Sequence, residues 1–210
     1  WLERGVAECR FMKPVYDGDT AILTATPGDR GGLAIAVESR GIACATAHAW
    51  LPDAPPADSE PPDTAPAPVA MDRRPPADEH SLAVGRLLAI RPFRTDNAFI
   101  ANYVRDLRET DRLYEEAGLV HPGFILRLCN WALSHNVVLG PWIHVGSRVQ
   151  NVAAARVGQE LTVRGRVTGN DVRKGHKFVD LDVLVCADGA PVGRIAHTAI
   201  YRPRQLDEAA

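Results

Sequence analysis

CRFMKPVYDGDTAILTATP (residues 9–27) and AVESRGIACATAHAWLP (36–52) have a looser second copy in SRVQNVAAARVGQELTVRGRV (147–167) and DLDVLVCADGAPVGRIAHTAIYRP (180–203). Each copy has an extended entry and then a turn with glycine, at Asp17-Gly18-Asp19 and Val157-Gly158-Gln159. An alternating strand follows, over 20–26 in one copy and 160–168 in the other. A hairpin leads to a further strand, then to a second glycine turn at Ser39-Arg40-Gly41 and Ala187-Asp188-Gly189. The last strand of each copy ends at proline. Alternation bounded by turn residues marks half-buried antiparallel strands. The unit is too long, and repeated too few times, for a solenoid. The duplication predicts two similar half-barrels packed together.

The chain between the copies reads differently. Residues 53–80 are dominated by proline, alanine and aspartate, as in DAPPADSEPPDTAPAPV (53–69), and such a segment buries too little apolar surface to offset its ordering entropy. It is expected to be an extended linker. LAVGRLLAIRP (82–92) reads as a strand by its apolar content. Asp96 or Asn97 can cap a helix carrying Phe99, Ile100, Tyr103, Val104 and Leu107. A short helix over 111–117 stops at Gly118. A third begins at His121-Pro122-Gly123 with proline in its favoured first turn. Ile125, Leu128, Cys129, Ala132 and Leu133 recur there at helical spacing with few charges, so this helix is expected to be mostly buried. The expected class is α+β, an antiparallel sheet wrapped around one apolar helix.

Composition narrows the function classes. A net charge of −2 with scattered basic residues gives no footprint for nucleic acid. No apolar run is long enough to cross a bilayer. Cys9, Cys44, Cys129 and Cys186 lack metal or redox spacing, and the histidines lack acidic partners at ligand spacing, so no metal is expected. Free cysteines in apolar runs point to reducing cytoplasm. No cofactor fingerprint, phosphate loop or serine elbow is present.

FMKPVYDGDT (11–20) and ESRGIACATAHAWLP (38–52) resemble the strand pattern of the MaoC-like hotdog superfamily, the (R)-specific enoyl-CoA hydratases and dehydratases. GQELTVRGRV (158–167) and GHKFVDLDVLVCADG (175–189) are similar more loosely, and YEEAGLVHPGF (114–124) resembles that family's lead into its central helix. The resemblance implies a double hotdog. Its N-terminal module, 1–52, consists of strands only and is incomplete; 53–80 is the linker, 81–204 the C-terminal hotdog and 205–210 a tail. It implies a hydro-lyase of fatty acid metabolism acting on acyl-CoA or acyl carrier protein thioesters, without a cofactor. It also implies a homodimer, or a pair with an active hotdog subunit. Two other readings stand beside it: a hotdog acyl-CoA thioesterase and a non-catalytic thioester-binding subunit.

Hydration of an enoyl thioester needs a base, an acid and amide donors for the thioester oxygen. The family's Asp-x4-His dyad is not carried over, because NYVRDLRETDRLY (102–114) has no histidine. The catalytic candidates are therefore His121, Glu109 and Asp106, although a solvated helix face also explains the two acids. The backbone amides of Gly123 and Phe124 open the buried helix and can face a thioester oxygen. Asn130 and His144 are polar residues in apolar runs and are expected in the pocket; His197 is a further polar residue in such a run. Lys174, in a basic hairpin tip, can meet the phosphates of the acyl carrier.

Overall fold

A computed structural model describes residues 1–29, 31–54 and 66–204. The parts of the expected linker and tail at 55–65 and 205–210 lie outside the described residues. The first copy forms β1 (Val6–Phe11), β2 (Ile22–Pro27), β3 (Leu33–Ser39) and β4 (Ile42–Trp50). Then come β5 (Leu87–Ala89), β6 (Phe93–Arg94), α1 (Asn97–Asp106), α2 (Leu113–Glu116) and α3 (Pro122–Ser134). The second copy forms β7 (Ile143–Asn151), β8 (Glu160–Arg173), β9 (His176–Ala187) and β10 (Ala190–Arg202).

All the strands join one antiparallel sheet in the order β2-β3-β4-β1-β7-β10-β9-β8-β5, with β6 also on β8. The two copies meet where β1 pairs with β7. Cross-strand partners share a face of a sheet. One row of partners therefore crosses the molecule: Ala25, Ile35, Ala47, Cys9, Ser147, His197, Leu181, Val167. It is polar only beside the seam, at Ser147 and His197.

On this face α3 packs against β5, β8, β9 and β10. Phe124, Leu128 and Leu133 of the helix are fully buried with Leu161, Val183 and Ile195 of the strands. Nothing comparable lies over β2, β3 and β4 among the described residues. Leu23 and Leu33 stay 67% and 48% exposed on the same face.

The helices begin where capping chemistry places them. Asp96 accepts a hydrogen bond of 2.7 Å from the Phe99 amide and starts α1. His121 caps α3, with Pro122 in the first turn. The expected strand at 82–92 shrinks to the three residues of β5, because Gly85 adopts φ 87° and turns the chain just before it. Residues 66–80 include a single helical turn at Met71–Arg73, and Arg74 donates to the Ser134 carbonyl at the end of α3.

Candidate functional site

The first turn of α3 gathers several of the expected residues. Arg108, just beyond α1, sits in the left-handed region at φ 56°, which is sparsely populated without glycine. The reversal carries Glu109 back toward His121, and Glu109 Oε2 lies 3.4 Å from His121 Nε2. The amides of Thr110 and Asp111 each donate to Glu109 Oε1 at 2.8 Å. The Asp111 amide is the main reason the Glu109 carboxyl ionises below its ordinary range; the Thr110 amide and His121 act in the same direction.

The tautomer of His121 follows from its bonds. Its Nδ1 accepts from the Gly123 amide at 3.0 Å, so the ring proton sits on Nε2 and points at Glu109. Burial pushes the imidazole pKa down and outweighs the opposing pull of Glu109. Charging the ring would also place a proton on Nδ1 and break the helix cap. The pair is therefore a carboxylate accepting from a neutral imidazole. The side chains of His121 and Glu109 are 15% and 27% exposed. Tyr103 and Tyr114 flank the imidazole with ring centroids at 5.8 and 4.5 Å.

The other candidates are distributed more widely. The Gly123 amide is engaged by His121 Nδ1, and the Phe124 amide bonds the His121 carbonyl at 2.9 Å. Both donors are thus satisfied within the turn, and neither is left for a ligand oxygen. The Phe124 ring is fully buried among Phe93, Phe99 and Trp131. Asp106 is exposed at the end of α1 and pairs with Arg105. Asn130 is half-buried on α3, with its Oδ1 buried and unpartnered. Lys174 is exposed in the β8–β9 turn at φ 53°. Among the described residues no group of histidines, cysteines or acids could hold a metal, and no helix is long and apolar enough to cross a membrane.

His144 belongs to a second cluster. It lines a cavity of about 580 Å³ walled by Phe11, Met12, Val15, Val37 and Ile143. Its Nε2 lies 2.8 Å from Ser147 Oγ, which lies 3.1 Å from His197 Nδ1. Burial lowers the His144 pKa to about 4 against a weaker opposing bond to the Gly146 backbone. Burial, with His144 beside it, lowers His197 to about 3. Ser147 is not among the residues expected from the sequence. In an unbroken strand, residues three apart face opposite sides, so nothing in the spacing pairs Ser147 with His144.

No protein-family model matches the chain, and no curated protein matches it. Solved structures do. A protein described as a MaoC domain dehydratase, from Chloroflexus aurantiacus J-10-fl, is similar with a TM-score of 0.63 and 15% identity, over 95% of this chain and 75% of that one. An acyl-CoA thioesterase II from Mycobacterium marinum has a TM-score of 0.55 at 10% identity, over 95% of this chain and 81% of that one. A hot dog fold protein of unknown function from Alicyclobacillus acidocaldarius has a TM-score of 0.52 at 14% identity, over 96% and 79%. At these identities the likeness is one of fold, and the fold is of the hotdog kind.

Proposed function

We propose that the chain handles acyl thioesters, and that it adds water to, or removes it from, an enoyl thioester with Glu109 and His121 as the working pair. The observation that carries this reading is the 3.4 Å contact between a carboxylate and a neutral imidazole at the start of the buried helix. In hydration, Glu109 takes a proton from water as the water oxygen joins the β-carbon, then returns that proton to the α-carbon. The Nε2–H of His121 holds the carboxylate in place, so His121 acts as a positioning residue. The strands of 1–52 are read as a second, incomplete hotdog unit, and the assembly as a pair with a second copy or with another hotdog subunit.

The test follows loss of the enoyl absorbance of crotonyl-CoA. Glu109→Gln is expected to lower turnover by about 100-fold or more. His121→Ala is expected to lower it less, and Asp106→Asn and Lys174→Ala to leave it near wild type. A folded wild-type protein with no hydration would sink the enzyme reading. The engaged amides of Gly123 and Phe124 favour a second reading, a thioester-binding subunit without turnover. That reading requires saturable binding of butyryl-CoA by the same inactive protein.

A further inference from the structure

We propose that Ser147 is a nucleophile, with His144 as its base, and that this centre takes activated acyl esters and thioesters whose chain enters the cavity beside His144. The inference uses none of the Glu109–His121 geometry. Only the choice of thioesters as natural substrates rests on the reading above.

The backbone brings His144 and Ser147 together. On β10, Thr198 pairs with Gly146, but the next residue, Ala199, pairs with His144. Val145 is the extra residue of a β-bulge and has no register partner on β1 or β10. A regular strand would turn His144 to the face opposite Ser147. The bulge rotates it onto the same face and into contact. Bulges re-aim side chains in this way and are concentrated near active sites.

The proton order follows from the hydrogen-bond partners. Ser147 Oγ stands between two imidazoles, 2.8 Å from His144 Nε2 and 3.1 Å from His197 Nδ1, and its one proton can go to only one of them. His197 Nε2 is buried with no partner. A buried lone pair there is cheaper than a buried, unbonded N–H, so the His197 proton sits on Nδ1 and points at Ser147 Oγ. The serine oxygen thus gives its proton toward one neutral imidazole and is polarised by the other. A nucleophile within hydrogen-bond reach of a base is the core of the arrangement used in covalent catalysis.

The surroundings are apolar. Ser147 and His197 are the polar members of an otherwise apolar row, and His144 is among the residues that line the cavity. Gly146 permits this packing, because a Cβ there would lie 2.7 Å from the Cys9 carbonyl oxygen of β1.

The step balances without a co-reactant. A lone pair of Ser147 Oγ forms the bond to the acyl carbon while the hydroxyl proton passes to His144 Nε2. The C–S bond breaks, its electron pair leaves on sulfur, and His144 returns the proton to the thiolate. Water then attacks the acyl carbon and gives its proton to His144. The C–Oγ bond breaks and Oγ takes the proton back, leaving a free acid and a thiol.

The experiment mixes the full chain with p-nitrophenyl butyrate, and separately with butyryl-CoA, and maps any butyryl adduct by peptide mass. The expected result is a burst of nitrophenolate near one equivalent and an adduct on Ser147. Ser147→Ala should lower the burst by about 100-fold or more with the fold retained by circular dichroism. Arg112→Ala, at the exposed start of α2, should leave it unchanged, and because the butyryl group is saturated and cannot be hydrated, the burst is separate from the hydration reading. Mapping on wild-type protein decides the matter if the serine variant does not fold. Absence of an adduct, an adduct on Cys9 or elsewhere, or a full burst from folded Ser147→Ala overturns it.

Discussion

The two halves of the sheet carry the same kind of face and finish it differently. Across β8, β9 and β10 the face is aliphatic and α3 lies on it, so Val167, Leu181 and Ile195 are fully or almost fully buried. Across β2, β3 and β4 it is again apolar, with Leu23, Ile35, Val37, Ala45 and Ala47 in matching register, but Leu23 is exposed and the other four are only half-buried. The strands alone therefore do not determine burial. A helix does, and the described residues supply one for the second copy only. The polar residues of the common face stand beside the seam, where its cover ends.

Mutation can test this contrast with one chemical change made twice. Leu128→Ala removes a fully buried side chain from under the sheet and should cost about 2–5 kcal/mol, read as a fall in the denaturant midpoint. A cost below 1 kcal/mol would mean that α3 does not hold the second half together.

Acid strikes next. His144 and His197 titrate at about 4 and about 3 when folded, against 6.5 as the ordinary value. Between those values the unfolded chain binds more protons, so stability is complete above pH 6.5 and falls as the pH drops toward 4. The loss is expected to be on the order of 3 kcal/mol for each imidazole by pH 4. A melting temperature that is flat from pH 7 to 4.5 would contradict the buried relay at the seam.

Smaller effects complete the series. Asp96→Ala removes the cap of α1 and should cost about 1 kcal/mol in thermal or urea unfolding. Leu23→Ala makes the same truncation as Leu128→Ala on the open half and should stay within about 0.5 kcal/mol. A large loss at Leu23 would show that something covers that face in solution.

The sequence made part of this plan legible. The strands on either side of the linker, the cap at Asp96, the proline entry to α3 and the apolar spacing along that helix each report a local requirement, and each appears near its expected place. The strand expected at 82–92 was mostly lost because apolar content does not reveal the reversal at Gly85. In the candidate site, His121 and Glu109 were identifiable as residues, but their contact depends on the left-handed turn at Arg108, which has no sequence signal in a non-glycine. The partnership of His144 with Ser147 depends on the single bulged residue Val145, and a strand pattern read with strict alternation conceals it.

Amide hydrogen exchange, resolved peptide by peptide, tests the contrast between the halves most directly. Peptides from β8 and β9, under α3, should exchange only through global unfolding, while those from β2 and β3 should exchange markedly faster under the same native conditions. Equal protection of the two pairs of strands would contradict it.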